Sequence, residues 1–265
     1  MQAQEIHIPA PKKSEYVSIF SVCCLHIGHK CHDREKALSY RDYILNTPDT
    51  YAYDLGDDME NAVPGDEVHN SMMWDSTMHP QEQFDKALEY WEPVVKAGKL
   101  LMTHDSNHFW RSEAKTGISI AKNMNVFMRN TAEKAKVRPP EWGQWQAFTK
   151  LHVGKQMYRV HSWHGAGGAA TAAGALNKCR SQAMIHQADV FLMGHYHRKV
   201  VDQDLYFAWP DGEAKPIEKM RAYGVTGSFM KWEGSYAERA GYGPSIRGAI
   251  KLELSAKRWD IKISL

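Results

Sequence analysis

The chain has 265 residues, of which 43% are hydrophobic and 24% charged, and its formal net charge is +2. That size and balance suit one large α/β domain, or two small ones, with a buried core. A charge so near zero gives composition no nucleic-acid or membrane partner to predict, and no apolar run approaches the roughly 20 residues of a membrane helix.

Residues 1–15 are polar, with Pro9, Pro11, Lys12 and Lys13, and lack the apolar core of a signal peptide. They read as a polar N-terminal extension, and secretion is not expected. Tyr16 to Leu25 is a short apolar, β-prone run that reads as a buried strand. Cys23 and Cys24 sit in it, and on a strand they would point to opposite faces. With Cys31 and Cys179 they make four cysteines and no CxxC pair, so a reducing cytoplasm is the simplest setting. Asp33 to Leu45 has helical spacing, and Thr50 to Leu55 is a second short strand ending at Gly56-Asp57. Residues 61–80 read as a polar excursion. Gln83 to Lys96 reads as a helix, Lys99 to Thr103 as a strand, and Lys115 to Met128 as a further helix. Ala147 to His152 and Gln156 to His161 predict a hairpin about Gly154-Lys155. A glycine-rich stretch from Gly165 leads into a helix reaching about Gln187, and a strand follows over Asp189 to Met193. Runs at 199–208, 221–226, 248–254 and 259–264 predict strands of a second sheet. No linker or repeat divides the chain, so a single α/β domain over 1–265 is expected.

The polar residues are ordered along this pattern. Strand ends are followed by Cys24-Leu25-His26, Gly56-Asp57-Asp58, Asn107-His108, His161-Ser162-Trp163-His164-Gly165 and Gly194-His195-Tyr196-His197. In open α/β sheets ligands bind at the carboxyl ends of strands, so these clusters would converge. One His-x-His or Gly-Asp alone is usually a turn, but five in order are not. The 14 histidines add to the case, since neutral imidazole is a common metal ligand.

The ordered set resembles the calcineurin-like metallophosphoesterases over roughly residues 20–200. Their pattern is Asp-x-His, Gly-Asp, Gly-Asn-His, a distal His and Gly-His-x-His. Gly227-Ser228-Phe229, Ser235-Tyr236-Ala237-Glu238 and Gly241-Tyr242 look like the tails of phage-type members. The resemblance implies a four-layer αββα sandwich with two mixed β-sheets, of the metallo-dependent phosphatase type. It also implies two divalent ions (Mn, Zn, Fe or Mg) that activate a bridging hydroxide to hydrolyse a phosphomonoester or phosphodiester. One ion would take Cys24, His26, Asp57 and His197. The other would take Asp57, Asn107, His164 and His195, with Asp57 bridging. His108 corresponds to the catalytic His, acting beside Asp57. The family's first Asp is Cys24 here, and two readings stand. Either the thiolate is a ligand, which would favour zinc, or Cys24 is a silent buried thiol and a neighbour such as Asp33 or Asp58 completes the site.

Arg111 and His29 are candidate substrate contacts, against a surface Arg and a solvated loop His. His161 reads as a core residue, and Trp74, Trp110 and Trp163 as core rings able to stack on a base. The glycine-rich stretch lacks the Lys of a P-loop. The resemblance implies a phosphate-ester substrate, with nucleotides and nucleic acid among the candidates. A DNA nuclease of the same family, or a metal-poor scaffold, are the alternatives.

Overall fold

A computed structural model describes residues 3–12, 14–63, 76–210 and 212–265. Trp74 and most of the 61–80 excursion lie outside the described residues. The fold is α/β, built on two mixed six-stranded sheets. The first has the order β12-β11-β2-β3-β4-β5, with β2 (Tyr16–Val22), β3 (Thr50–Asp54), β4 (Leu100–Thr103) and β5 (Glu141–Trp142) parallel. β11 (Ile250–Ser255) and β12 (Ile261–Ser264) add antiparallel strands at its edge. The second has the order β1-β6-β7-β8-β10-β9. It comprises β1 (Gln4–Ile8), β6 (Gln146–Val153), β7 (Gln156–Trp163), β8 (Val190–Met193), β9 (Val200–Ala208) and β10 (Ile217–Val225).

The sheets pack face to face through Ile6, Val17, Ile19, Leu151, Val160, Val190, Leu192 and Ile250. Helices cover both outer faces. α1 (Arg34–Asn46), α2 (Pro80–Lys96), α3 (Asn107–Thr116) and α4 (Ile120–Ala135) supply Ala37, Ile44, Trp91, Val94, Phe109 and Met124 to the outer core of the first sheet. α5 (Ala172–Ser181) covers the second sheet with Ala175 and Cys179, packed on Phe191 and Tyr223. α6 (Tyr236–Arg239) is a single turn.

Three expectations change. The N-terminal extension contains β1, which pairs in parallel with β6 and buries Ile6 and Ile8 in the core. Its alternation of polar and apolar residues is a half-buried strand that the prolines and lysines around it obscured. The helix expected over Lys115 to Met128 is two helices. Gly117, at φ +70°, closes α3 with a left-handed cap, and the Ser119 hydroxyl accepts from the Lys122 N–H to open α4. The last four strands do not form a sheet of their own: β9 and β10 extend the β6-β7 hairpin sheet, while β11 and β12 return to the first. Local pattern carries no information on which sheet a strand joins. The hairpin forms about Gly154-Lys155, with Val153 opposite Gln156.

Packing of β1 is open to test. Ile6 is fully buried, so Ile6→Ala is expected to cost about 2–5 kcal/mol in urea denaturation. A loss below about 0.5 kcal/mol, the level of an ordinary surface change, would mean that β1 contributes nothing to the core.

Candidate metal centre

Every predicted ligand lies where a strand ends. Cys24 and His26 follow β2, Asp57 follows β3, Asn107 opens α3 after β4, His164 follows β7, and His195 and His197 follow β8. The first sheet thus supplies Cys24, His26, Asp57 and Asn107, and the second supplies the other three. Glycines let these loops close on each other. A Cβ on Gly194 would fall 2.2 Å from the Cys23 Sγ, and one on Gly165 would fall 2.9 Å from the His195 Cβ. Five site residues, Cys24, His26, Asp57, His195 and His197, have φ between +51° and +69°. A left-handed backbone costs an L-residue about 1–2 kcal/mol, so its concentration here is paid for by the surrounding packing and is typical of functional sites.

Two sets of ligand atoms result, each with its atoms within 4.8 Å of one another: Cys24, His26 and His197, and Asp57, His164 and His195. His26 Nε2 and His197 Nε2 face each other at 3.0 Å. His164 Nε2 lies 3.2 Å from Asp57 Oδ2 and 2.8 Å from Asn107 Oδ1. The other Asp57 oxygen accepts the His108 backbone N–H at 3.2 Å. Buried groups of this composition can hold a metal ion.

The remaining ring nitrogens test that fit, because a ligating imidazole is normally oriented by a hydrogen bond from its other nitrogen. His26 Nδ1 donates to Glu60 Oε2 at 2.9 Å, and His164 Nδ1 donates to the Leu55 carbonyl at 2.7 Å. His195 Nε2 donates to the Gly167 carbonyl at 2.8 Å, and His197 Nδ1 lies 3.3 Å from the Tyr236 hydroxyl. All four rings therefore keep one nitrogen for the centre and anchor the other.

The electrostatics agree. Burial alone would raise the Asp57 carboxyl, but His108, His164 and His26 hold it well below its usual range. Burial opposes charge on His164, yet Asp57 holds it well above the ordinary imidazole value. His197 is pushed well below that value by burial and by His26. One buried carboxylate among imidazoles needs positive charge beside it, and either protons or cations can supply it.

The thiols differ from expectation. Cys24 lies beyond the end of β2 with φ +55°, so strand alternation does not apply, and its Sγ sits 3.2 Å from that of Cys23. Both thiols are free and buried, and burial holds each above its ordinary pKa. Neither Asp33 nor Asp58 falls in either ligand set. Asp33 caps α1 and pairs with Arg247, and Asp58 accepts from the Trp91 indole at 3.0 Å.

His108 and Arg111, both buried, lie beside these groups. His108 Nδ1 donates to the Glu60 carbonyl at 2.6 Å, and its Nε2 is 3.0 Å from the Arg111 guanidinium and 3.7 Å from Asp57 Oδ2. Arg111 also donates to the Glu60 carbonyl at 2.8 Å. Burial pushes His108 down to about 3, with Arg111 adding to the effect against Asp57. His29 is not part of this arrangement: it is buried in its own loop, where its Nδ1 accepts the Cys31 N–H at 2.9 Å. His161 packs as a core ring against Phe148, His186 and Phe191. Trp110 is half exposed, against Trp145.

Sequence reasoning passed over Glu60 and Tyr236. Glu60 is fully buried and reaches His26, His108 and Arg111, at 2.9, 3.8 and 3.6 Å. The available signal was an acidic residue three positions after Asp57, but Asp58 competed with it and nothing local separates the two.

No family model matches the chain, and no curated protein matches it. Among solved structures it is similar to a hypothetical protein from Pyrococcus horikoshii at 10% identity, over 94% of this chain and 87% of that one, with a TM-score of 0.40. A likeness at that level carries no functional reading.

Glu60→Gln is expected to weaken divalent-metal affinity about 10–100-fold, the usual effect of removing a carboxylate behind a ligating His. Competition with a chelator measures it, and circular dichroism checks that the variant is folded. Unchanged affinity in a folded variant would remove Glu60 from the orientation of His26.

Proposed function

We propose that this chain is a metal-dependent phosphoric ester hydrolase of the calcineurin-like metallophosphoesterase type, with a dinuclear centre at the meeting point of its two sheets. The observation that supports this reading best is the pair of ligand sets, Cys24/His26/His197 and Asp57/His164/His195, with Asn107 Oδ1 2.8 Å from His164 Nε2 in the second. The division is the one that the ordered motifs imply. The helix–sheet–sheet–helix layering agrees with the same family.

Cys24, His26 and His197 would hold one ion, and His164, His195 and Asn107 the other, with Asp57 shared. Such a pair supplies Lewis acidity toward phosphoryl oxygens and a water of lowered pKa. The protein's own groups do the rest. Asp57 keeps the ligands charge-balanced, and its second oxygen is steered by the His108 N–H. With its Nδ1–H bound to the Glu60 carbonyl and its Nε2 facing Arg111, His108 is a neutral acceptor rather than a loaded acid. Arg111 is the fixed positive charge, suited to a phosphoryl oxygen. An anionic ester against this pair draws Arg111 toward its own oxygens. His108 Nε2 is then released to take a proton from solvent water and pass it to the leaving oxygen. Burial around the pair strengthens these interactions. A Cys24 thiolate among the ligands would shift preference toward zinc.

Metal analysis, paired with turnover of bis(p-nitrophenyl) phosphate and p-nitrophenyl phosphate, tests the reading. A metal content near two per chain and turnover of either ester are expected. A metal-free, inactive protein after loading with manganese or zinc would sink it. Asp57→Ala is expected to abolish activity and lower metal content. His108→Ala should keep the metal and reduce kcat about a hundredfold or more. Cys24→Asp is expected to raise activity with manganese relative to zinc, and an unaltered preference would remove Cys24 from the ligand set.

A further inference from the structure

A cavity of about 220 Å³ opens beside His195 and His197. Its wall carries four tryptophan and tyrosine rings, Tyr196, Trp232, Tyr236 and Tyr242, and another part of its lining is the bare backbone of Gly167 and Gly168. A Cβ at either glycine would meet nothing within 4 Å, so the backbone there faces open space. Three of these rings are held by hydrogen bonds, the Tyr196 hydroxyl donating to the Ala166 carbonyl at 2.6 Å. Trp232 donates its indole N–H to the Tyr242 carbonyl at 2.6 Å, and Tyr236 is tethered to His197 at 3.3 Å. Arg198, also in the lining, spans the two loops by donating to the Gly243 and Ala170 carbonyls at 2.9 and 2.6 Å. It therefore acts as a strut and holds the cavity open. The exposed Lys231 adds positive charge to the lining.

We infer that this cavity is a subsite for a planar aromatic group, a nucleobase or an aryl ring, carried by the phosphate ester that the adjacent centre acts on. The inference rests on the hydrolase reading for the position of the phosphate, but the subsite itself is defined by the rings. A rigid aromatic wall beside unsubstituted backbone accepts a flat ring face-on, and its pre-set geometry lowers the ordering cost of binding. Every base and every aryl ring has a π-face, so stacking alone does not distinguish between the two sources.

Binding of three phosphonates, which the centre cannot cleave at their C–P bond, tests this by calorimetry on the full chain loaded with manganese. They are methylphosphonate, benzylphosphonate and a thymidine 5′-phosphonate. At least one aromatic compound is expected to bind about tenfold or more tightly than methylphosphonate, as stacking of one ring allows. Trp232→Ala should remove about tenfold of that advantage, and Trp232→Phe should retain most of it. Equal gains for benzyl and thymidine identify an aryl subsite, and a gain for thymidine alone identifies a nucleobase subsite. Equal affinity for all three, or an advantage that survives Trp232→Ala, overturns the inference. Because the readout is binding, the subsite and the hydrolase reading fail separately. Lost selectivity with turnover intact removes only the subsite, and selective binding without turnover of any ester removes only the hydrolase.

Discussion

The structure turns on a single buried carboxylate. Asp57 leaves the end of β3 in the first sheet and meets His164 from β7 of the second at 3.2 Å. That contact ties the carboxyl ends of the two sheets together. A lone charge at this depth would cost several kcal/mol, and the surrounding imidazoles, amide and backbone N–H exist in a geometry that offsets the cost. Once Asp57 is held there, the loops that follow β2, β4 and β8 have few other ways to run. Cys24 N–H donates to the Gly56 carbonyl and His26 N–H to the Asp57 carbonyl, so the first two loops advance side by side beyond the last strand pair.

The backbone carries the strain of that convergence. Left-handed residues at the ends of β2, β3 and β8 turn the chain sharply enough to aim consecutive polar side chains inward. Glycines at 56, 165 and 194 remove the Cβ atoms that would hold the loops apart. The three apolar clusters supply the stability that tolerates these conformations: a dry layer between the sheets and a helix-covered layer on each outer face. A strained polar cluster at one end is compatible with a stable domain because its neighbours along the strands are uniformly buried.

Around the ligand candidates lies a second set of groups whose work is orientation. Glu60 is the centre of it, facing His26 with its carboxylate and receiving His108 and Arg111 at its carbonyl. Tyr236 does the same for His197 from the C-terminal segment, and by that contact it links the centre to the neighbouring aromatic cavity. His197 thus has one nitrogen toward His26 and the other toward Tyr236 in the cavity wall.

The sequence by itself determined the elements and the identity of the ligand candidates. Hydrophobic period and turn residues located the strands at Tyr16, Thr50 and Lys99, the Gly154 hairpin and the helix that ends at Lys96. The polar residues just past the strands were legible because chemistry at strand ends requires particular side chains whatever the rest of the fold does. Tertiary structure decided what depends on distance across the chain. It put β1 into the core and split the last four strands between two sheets, since register and sheet membership come from packing, not local preference. It chose Glu60 over Asp58 beside His26, and it turned Cys24 toward Cys23, because a left-handed φ past a strand end breaks the two-residue alternation on which a linear reading relies.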